Sequence, residues 1–332
     1  MQKILVVQTA FIGDVVLATG LLEKLHAAFP HAQLDILVRK GNESLFTEHP
    51  FLHQVLIWDK RSHKYRNLVK VIGEVRSSRY DLLVNVQRFA ATGLITILSK
   101  ARHKIGFDKN PFSFLFSDII RHVVSEGDQP LHETERNHQL IRSITDDKAA
   151  RPKLYPSVAD KAFVAKWKTQ PYVCIAPASV WFTKQFPADQ WIELINQLPQ
   201  QYSVYLLGAP GDKELCEGIR QSSTHTSIVN LAGELNFLQS AALQADAVMN
   251  YVNDSAPMHF ASAVNAPVTA VYCSTIPAFG FGPLSDTSYI VEVAQPLACR
   301  PCGLHGRREC PLAHFNCARQ IRTAQLLATL PQ

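Results

Sequence analysis

The chain has 332 residues, of which 47% are hydrophobic and 18% charged, a composition typical of globular proteins and not of disordered chains. It contains no apolar run of about 18 residues, and residues 1–20 lack the basic and apolar segments of a secretory signal. We therefore expect a cytoplasmic protein without a transmembrane helix. The formal net charge of +5 excludes little, and the length is enough for two α/β domains.

Strand-like and helix-like segments alternate along the chain. In the first half the pattern predicts strands over 3–7, 33–38, 55–58, 81–86 and near 104–106, and helices over 15–29, 65–76 and from 94. A proline-flanked stretch over 147–170 is the best candidate for a linker. The alternation then restarts with strands over 172–176, 204–207, 228–231, 247–250 and 268–271, and with helices over 188–198, 212–221, 237–244 and 258–264.

Such alternation indicates βαβ units and parallel sheets covered by helices. We predict two doubly wound halves, with domains over 1–155 and 171–318 and a closing helix over 319–332. Similar strand–turn–helix sites in both halves suggest that the two domains face a shared cleft.

The first polar turn, residues 9–14, joins the first predicted strand to the first helix. Gly13 lets the backbone approach a ligand closely. Asp14 is either an N-cap or a carboxylate that faces a ligand at the carboxyl end of the sheet. The turn lacks the glycines of a dinucleotide fingerprint or a Walker A loop, so nicotinamide cofactors and ATP hydrolysis are poorly supported.

The second polar segment, residues 176–187, follows the first strand of the second half. Ser179 and Thr183 offer hydroxyl donors, and Lys184 offers a cation. This set is suited to holding a diphosphate without a metal. The alternative for Lys184 is a simple exposed position.

The third polar segment, residues 253–259, precedes another predicted helix. Asp254 and Ser255 are favoured N-cap residues, and the amides of the following turn would point into the cleft from the positive end of the helix dipole. His259 lies one helical turn after Ser255, where it either lines the same pocket or packs inside.

Basic residues are bunched in the first half, at Lys60, Arg61, Lys64, Arg66, Lys70, Arg76 and Arg79. The bunching suits an anionic partner, whether acidic lipid headgroups, phosphorylated sugars or nucleic acid. The spacing of Arg76 and Arg79 favours a solvated helix face. Arg61, Lys64 and Arg66 follow a strand in a predicted loop, and for them we favour a ligand.

The cysteines fall into two groups. Three lie in apolar surroundings and indicate small core residues: Cys174, Cys216 and Cys273. Four others form a C-x2-C-x7-C-x6-C cluster: Cys299, Cys302, Cys310 and Cys317. The cluster has three interpretations, namely reduced thiols that pack a loop, a zinc site, or oxidation-sensitive pairs, and we prefer reduced thiols over zinc.

In this order and spacing, the segments resemble the ADP-heptose:lipopolysaccharide heptosyltransferases of glycosyltransferase family 9 over nearly the whole chain. The resemblance is carried by Lys3-Ile-Leu-Val-Val7, Ile12-Gly-Asp-Val-Val-Leu-Ala-Thr19, residues 178–187 with Trp191, Leu231-Ala-Gly233, Asn253-Asp-Ser-Ala-Pro-Met-His259, Cys299-Arg-Pro-Cys302 and Cys310-Pro-Leu312. It implies a GT-B architecture, with the acceptor bound by the first Rossmann-like domain and the nucleotide sugar by the second. It also implies inversion at the anomeric carbon, with neither a metal nor a cofactor.

The resemblance assigns roles to residues. Asp14 corresponds to the general base that takes the proton of the acceptor hydroxyl, and Lys184 to the cation that neutralises the leaving diphosphate. The implied donor-binding residues are Ser179, Thr183, Lys184, Gly233, Asp254, Ser255, Ala256 and His259. The implied acceptor-binding residues are Gly13, Arg61 and Lys64. The chain departs from many members of the family at Ala256, where they carry glycine.

From the resemblance we expect transfer of a sugar, heptose by analogy, from an ADP-sugar to a lipopolysaccharide inner-core acceptor. The enzyme would work as a peripheral protein at the inner face of the cytoplasmic membrane, with no nucleic acid partner. The alternatives are transfer of another sugar or to another acceptor, an epimerase of the same fold, and a non-catalytic nucleotide- or lipid-binding protein.

Overall fold

The structure, a computed structural model, describes residues 1–126 and 129–331. The chain divides into two compact units between Tyr155 and Pro156. Among the helices of the described residues, none combines the length and the apolarity that crossing a bilayer requires.

The first unit is built around a parallel sheet. Its strands are β1 Lys3–Val7, β2 Gln33–Arg39, β3 Leu52–Trp58, β4 Leu82–Asn85, β5 His103–Phe107 and β6 Asp118–Ile120, followed by the short antiparallel pair β7 Ser125–Glu126 and β8 Gln129–Pro130. Its α-helices are α1 Ile12–Ala28, α2 Lys64–Ser78, α3 Ala90–Leu98 and α4 Glu133–Gln139. The six parallel strands follow the order β3-β2-β1-β4-β5-β6, which is the doubly wound order of a Rossmann fold.

The second unit repeats this plan. Its strands are β9 Tyr172–Ala176, β10 Ser203–Leu206, β11 Ile228–Asn230, β12 Met249–Asn253, β13 Val268–Tyr272 and β14 Ser288–Glu292. Its α-helices are α5 Val158–Val164, α6 Ala188–Gln197, α7 Lys213–Ser222, α8 Phe237–Ala245, α9 Ala256–Ala263, α10 Asn316–Arg319 and α11 Thr323–Leu327. The parallel strand order is β11-β10-β9-β12-β13-β14, so the predicted α/β class with two doubly wound sheets is confirmed.

Both faces of the second sheet are buried, because alternate residues of β9 enter different core clusters. Val173 and Ile175 pack with Trp191, while Cys174 packs with Tyr272 on the other side. A strand covered on both faces must be apolar throughout, which explains why such segments are continuous hydrophobic runs. The predicted core positions of the first three cysteines are confirmed, since Cys174, Cys216 and Cys273 are buried.

The order of each sheet reverses next to its first strand, between β1 and β4 and again between β9 and β12. In open α/β sheets a crevice forms outside the carboxyl ends of the strands at this reversal, and ligands bind there. The polar turn after β1 and the polar segments after β9 and β12 therefore all lie where a ligand site is expected.

The predicted closing helix over 319–332 is not a single helix. The described residues of this region form the two short helices α10 and α11, separated by residues 320–322. The Arg322 backbone is extended and the Gln325 side chain accepts a hydrogen bond from its amide, so a second helix begins there. The apolar spacing of Ile321 and Leu326 reflects packing into the core of the second unit.

Candidate active site

Asp14 lies in the first turn of α1 and is not its N-cap. The helix begins at Ile12, and the N-cap position belongs to Phe11, whose backbone is extended. The Asp14 side chain is half-buried at the carboxyl end of β1. A carboxylate in the first turn is favoured by the helix dipole whether or not it caps the helix. The N-cap alternative for Asp14 is therefore wrong, because Phe11 holds that position.

Gly13 and Asp14 lie close to a group of cations. Burial lowers the pKa of Arg39, as does the neighbouring charge of Arg61, while Asp14 opposes this shift. Arg39 ends β2, and its guanidinium lies 4.6 Å from the centre of the Phe11 ring. The turn that carries Asp14 is thus in electrostatic contact with positive charge from the neighbouring strand.

Lys60 completes this positive surface. Its Nζ donates hydrogen bonds to the Thr9 carbonyl oxygen at 2.8 Å and to Thr9 Oγ1 at 2.9 Å. Burial lowers the pKa of Lys60 to about 8, with contributions from the charges of Arg39 and Lys64. We call Arg39, Lys60, Arg61 and Lys64 the basic rim. Arg61 and Lys64 are exposed, and Lys60 was also among the bunched basic residues of the sequence. Arg39 was not, and its signal is its position at the end of β2.

Helix α4 carries an ion pair between the buried Arg136 and the half-buried Glu133. Arg136 Nη1 is 3.2 Å from Glu133 Oε2, and the two side chains are 5% and 16% exposed. Helix α4 packs against α1. Burial raises the pKa of Glu133 to about 7, Arg136 opposes the rise, and the charge of Asp14 adds to it. Helix α4 has the sequence ETERNHQ, whose lack of apolar periodicity leaves the helix and its ion pair unpredicted from the sequence.

In the second unit, the half-buried Lys184 forms an ion pair with the buried Asp254. Its Nζ lies 2.7 Å from Asp254 Oδ2, with the side chains 16% and 8% exposed. Thr275 Oγ1 donates a second hydrogen bond to the same carboxylate oxygen at 2.6 Å. The alternative of a simple exposed position for Lys184 is therefore wrong. Asp254 does not cap α9, because the N-cap residue is Ser255, and the Asp254 carboxylate is paired with Lys184 instead.

Asn253 ties the two segments of this site together. Its Nδ2 donates to the Pro177 carbonyl oxygen at 2.8 Å, and its Oδ1 accepts from the Phe186 amide at 2.9 Å. Both ends of the segment that carries Ser179 and Lys184 are thereby fixed to the end of β12. A fixed backbone matters here because a preorganised cation loses little freedom when it binds an anion.

The start of α9 offers fewer amides than the sequence argument assumed. Ser255 is the N-cap residue, but its side chain makes no capping hydrogen bond and its Oγ donates to the Asn253 carbonyl oxygen. Ala256 is the first helical residue, and the following Pro257 has no N–H. An anion at this end would therefore rely on the Ala256 amide and the helix dipole. His259 is buried within α9.

Thr183 does not offer its hydroxyl to a ligand. The side chain is 1% exposed, and its Oγ1 accepts hydrogen bonds from the Arg307 amide at 2.7 Å and from Ser274 Oγ at 2.9 Å. The Thr183 amide donates to the Arg307 carbonyl oxygen at 3.1 Å. The predicted diphosphate contact of this hydroxyl is replaced by a structural role, since the hydroxyl fixes the segment that carries Lys184. Ser179 is half-exposed, and its carbonyl oxygen accepts from Gln185.

The segment over residues 299–317, here called the thiol loop, packs directly on Lys184. Gly306 has a φ of +77°, and a Cβ at this position would lie 2.9 Å from Lys184 Cγ. The Cys302 amide donates to the Ser274 carbonyl oxygen, and the Arg300 guanidinium donates to that of Thr275. The loop thus braces the segments that hold Lys184 and Asp254.

The four cysteines of the thiol loop are free thiols in the structure. Burial raises the pKa of Cys302, and the neighbouring thiols of Cys299 and Cys310 raise it further. Cys317 is buried, and burial raises its pKa. The other three thiols of the loop raise this pKa further. In the part of the chain that the structure describes, no group of three or more histidine, cysteine, aspartate or glutamate side chains is arranged to hold a metal ion.

Gly233 follows β11 and turns the chain with a φ of +79°. Its amide donates to the Gly208 carbonyl oxygen at 2.9 Å, and a Cβ would lie 2.9 Å from Pro210 Cα. Glycine is required here both by the positive φ and by the close backbone approach. The exposed turn lies at the same edge of the sheet as the Lys184 segment, because β9, β10 and β11 are parallel.

Two parallel sheets of Rossmann order in one chain are the features of the GT-B fold. Solved structures bear this out. Escherichia coli ADP-heptose lipopolysaccharide heptosyltransferase II matches with a TM-score of 0.80 at 22% identity, covering 99% of this chain and 97% of that one. E. coli heptosyltransferase WaaC with ADP-2-deoxy-2-fluoro heptose matches with a TM-score of 0.72 at 17% identity, covering 98% of each chain. At these identities the likeness establishes the fold.

Sequence comparison gives the family. The model of glycosyltransferase family 9 (heptosyltransferase) matches residues 68–312, and lipooligosaccharide heptosyltransferase 2 of Haemophilus influenzae is 23% identical over 318 residues, which is 89% of each chain. The chain belongs to glycosyltransferase family 9 and is a glycosyltransferase, so the predicted family is confirmed.

Proposed function

We propose that this enzyme transfers heptose from ADP-heptose to an inner-core sugar of lipopolysaccharide, with inversion at the anomeric carbon. The observation that supports the proposal is the ion pair between Lys184 and the buried Asp254, because it lies beyond the carboxyl ends of β9 and β12, where a diphosphate is expected. The similar proteins are named heptosyltransferases, and one solved neighbour contains an ADP-heptose analogue. An epimerase and a non-catalytic binding protein are not favoured by this family membership.

The reaction is a direct displacement. An acceptor oxygen bonds to the anomeric carbon, the bond from that carbon to the diphosphate oxygen breaks, and the electron pair leaves with ADP. The acceptor proton passes to the Asp14 carboxylate, which acts as general base. Charge accumulates on the leaving diphosphate, so a preorganised cation lowers the barrier more than a mobile one. Lys184 fills this role, since Asp254 and Thr275 hold its position before the donor arrives.

The basic rim is proposed to bind the acceptor. Acidic sugars and phosphates of a lipopolysaccharide core carry negative charges that Arg39, Lys60, Arg61 and Lys64 would neutralise. Helix α2 begins at Lys64 with no acidic residue in its first turn, so the positive helix end adds to the positive side chains. Gly13 would allow the acceptor to approach the α1 backbone closely.

A peripheral position at the inner face of the cytoplasmic membrane completes the proposal, because the acceptor is part of a lipid. The exposed cations of α2 would be attracted to an anionic membrane. Binding to vesicles that contain phosphatidylglycerol should weaken as salt rises, since screening shortens the range of such attraction to about 10 Å at 0.1 M salt. Binding that is insensitive to salt would contradict this part of the proposal.

The donor site is tested by calorimetric titration with ADP, GDP and UDP. Selective binding of ADP supports an ADP-sugar donor, selective binding of GDP or UDP would exclude ADP-heptose, and no binding would refute the donor site. The reaction is tested by measuring ADP release from ADP-heptose with and without a heptose-deficient lipopolysaccharide core. Release that requires the core supports the proposal, whereas conversion of the donor without any acceptor would indicate an epimerase.

A further inference from the structure

Two exposed phenylalanines occupy helix starts next to the strand-order reversal of the first sheet. Phe11 is 61% exposed and Phe89 is 58% exposed. Each is the N-cap residue of its helix, α1 and α3 respectively, and neither makes a side-chain capping hydrogen bond. Polar residues are preferred at that position because they satisfy the first amides of a helix. Exceptions to such local rules are expected where a residue serves function, and here both lie at the ligand-binding edge of the sheet.

The two phenylalanines occupy equivalent positions after neighbouring strands. Val7 of β1 is in register with Asn85 of β4, and Phe11 and Phe89 each lie four residues further along the chain. From there the chain runs to β2 in one case and to β5 in the other, and these strands lie on opposite sides of the β1–β4 pair. Because such crossovers are right-handed, α1 and α3 cover opposite faces of the sheet. The two turns therefore diverge around the crevice, with one phenylalanine on each side of it.

Buried asparagines hold both turns in place. Asn42 Nδ2 donates a hydrogen bond to the Ala10 carbonyl oxygen at 3.1 Å, one residue before the first phenylalanine. Asn110 Nδ2 donates to the carbonyl oxygens of Gln87 at 2.9 Å and of Phe89 at 3.1 Å. The rings thus project from backbones that are ordered before a ligand arrives, and a preorganised contact loses little freedom on binding.

A guanidinium group accompanies each ring. Arg39 Cζ lies 4.6 Å from the centre of the Phe11 ring, and Arg88 Cζ lies 5.9 Å from that of Phe89. These are cation–π distances, and a cation covers only one face of an aromatic ring. The uncovered face, which is electron-rich, suits the C–H groups of a sugar ring. The neighbouring guanidinium suits a carboxylate or phosphate on that sugar, because it binds such groups through two parallel hydrogen bonds.

We propose that Phe11 and Phe89 are specificity-determining residues for the acceptor, which contact its anionic sugar from the two sides of the crevice while Arg39 and Arg88 bind its acidic group. The inference rests on the proposed sugar transfer and deepens it, because it states which feature of the acceptor is selected. An uncharged sugar lacks the guanidinium contacts and a free anion lacks the ring contacts, so each binds more weakly than an acidic sugar.

Binding is measured by calorimetric titration with a deacylated, heptose-deficient lipopolysaccharide core, without any donor. Phe11→Leu and Phe89→Leu keep an apolar side chain but lose the ring, and each should weaken binding by roughly three- to tenfold. Phe11→Trp should bind like the wild type, since it keeps an aromatic face. Both rings are exposed, so the leucine variants should keep the thermal midpoint of the wild type. Affinities of both leucine variants equal to that of the wild type would overturn the proposal.

Phe163→Leu is the matched control for these variants. Phe163 is also exposed, and its ring centre lies 4.8 Å from Lys166 Nζ, but it belongs to α5 in the second unit. This variant should bind the core as the wild type does.

Two further titrations, with ADP and with phosphatidylglycerol vesicles, test other occupants of the rings. Phe11→Leu and Phe89→Leu should change neither affinity. Weaker binding of ADP or of vesicles with unchanged binding of the core would assign the rings to the nucleotide or to the membrane and overturn the proposal.

The kinetic test is acceptor-dependent ADP release from ADP-heptose. In Phe11→Leu and Phe89→Leu the KM for the core should rise by the factor seen in binding, while kcat stays within about twofold. Contacts with a part of the acceptor that does not react stabilise the bound state and the transition state alike. A lower kcat at an unchanged KM would overturn the proposal, because the rings would then act on the transfer step itself.

These measurements separate the inference from the proposed function. If the wild type binds the core through the rings but releases no ADP from ADP-heptose, the inference holds and the proposed donor is refuted. If the wild type transfers heptose and the leucine variants bind the core equally well, the proposed function stands and the inference fails. If the wild type does not bind the core at all, the proposed acceptor is refuted and the inference with it.

Discussion

Lys184 is the residue on which the donor site most depends, because its charge is held in place before a ligand binds. We expect Lys184→Ala to weaken ADP binding by roughly 10- to 100-fold, since a hydrogen bond to a charged group contributes about 1.5–3 kcal/mol. The measurement is calorimetric titration with ADP. Lys213→Ala is the control, because Lys213 forms an exposed ion pair with Glu234 at 2.9 Å in the same unit.

The Lys184→Ala variant leaves the Asp254 carboxylate buried without its cation, which is destabilising by itself. The double variant Lys184→Ala with Asp254→Asn removes both charges and separates the loss of folding from the loss of binding. ADP affinity equal to that of the wild type in a folded double variant would remove Lys184 from the donor site.

The prediction for Asp14 differs from that for Lys184, because the proposed role of Asp14 is to take a proton from the acceptor. Asp14→Asn keeps the shape and the position in the first turn of α1 but cannot take a proton. We expect kcat for acceptor-dependent ADP release to fall by at least about 100-fold, the usual contribution of a general base, while ADP affinity stays within about twofold. If Asp14→Asn kept a third of the wild-type rate, Asp14 would not be the general base and would only stabilise the first turn of α1.

At the residue scale, the sequence predicts which polar segments follow buried strands better than it predicts the contacts of their side chains. Asp14 and Lys184 were identified from their positions after buried strands, since a strand end is visible in a sequence. The contacts of Thr183 and Asp254 were not, because their partners Arg307 and Thr275 lie far away in the chain. A hydroxyl or carboxylate that looks suitable for a ligand can equally hold the backbone of its own site, and only the fold decides.

At the element scale, apolar runs predicted the central strands, while short elements at the edges were missed. Strands β1 and β9 are buried on both faces and therefore stand out as hydrophobic runs. Strand β12 is equally buried but contains Asn250 and Asn253, and the run predicted over 247–250 overlaps it only at residues 249–250. The partly exposed edge strands β6 and β14 have no such run. Helix α4 has no apolar stripe, because the residues on its buried side are polar and include Arg136.

The thiol loop gives a prediction at the same scale, because one of its glycines contacts Lys184 and another does not. Gly306 and Gly303 both have positive φ, at +77° and +98°, but only a Cβ at Gly306 meets Lys184, while Gly303 has nothing within 4 Å. Alanine at either position should cost about 1–2 kcal/mol of stability through backbone strain. Gly306→Ala should in addition weaken ADP binding several-fold, because Lys184 must move.

The comparison between these two glycine variants isolates the contact from the strain. Thermal unfolding reports the strain and calorimetric titration with ADP reports the position of Lys184. Equal ADP affinities in Gly306→Ala and Gly303→Ala would mean that the thiol loop does not position Lys184.

At the scale of the whole molecule, each unit has a core of its own. Leu5 and Trp58 belong to a cluster formed by residues of the first unit, and Ile175 and Trp191 to one formed by residues of the second. A unit with its own core can unfold as its own cooperative transition. We therefore expect two transitions in scanning calorimetry, and core variants assign them. Leu5→Ala should lower the midpoint of only one transition, and Ile175→Ala that of only the other. Each variant should lose about 2–5 kcal/mol of stability in its own unit.

ADP should then act on one transition alone. A ligand present at 100 times its Kd stabilises the unit that binds it by about 2.7 kcal/mol, which shifts the midpoint of a unit of this size by roughly 5–10 °C. We expect this shift in the transition lowered by Ile175→Ala, because Lys184, Asp254 and Gly233 all belong to the second unit. A shift of the transition lowered by Leu5→Ala would place the nucleotide in the wrong unit for the proposed donor site. Equal shifts of both would mean that the donor is held by the two units jointly.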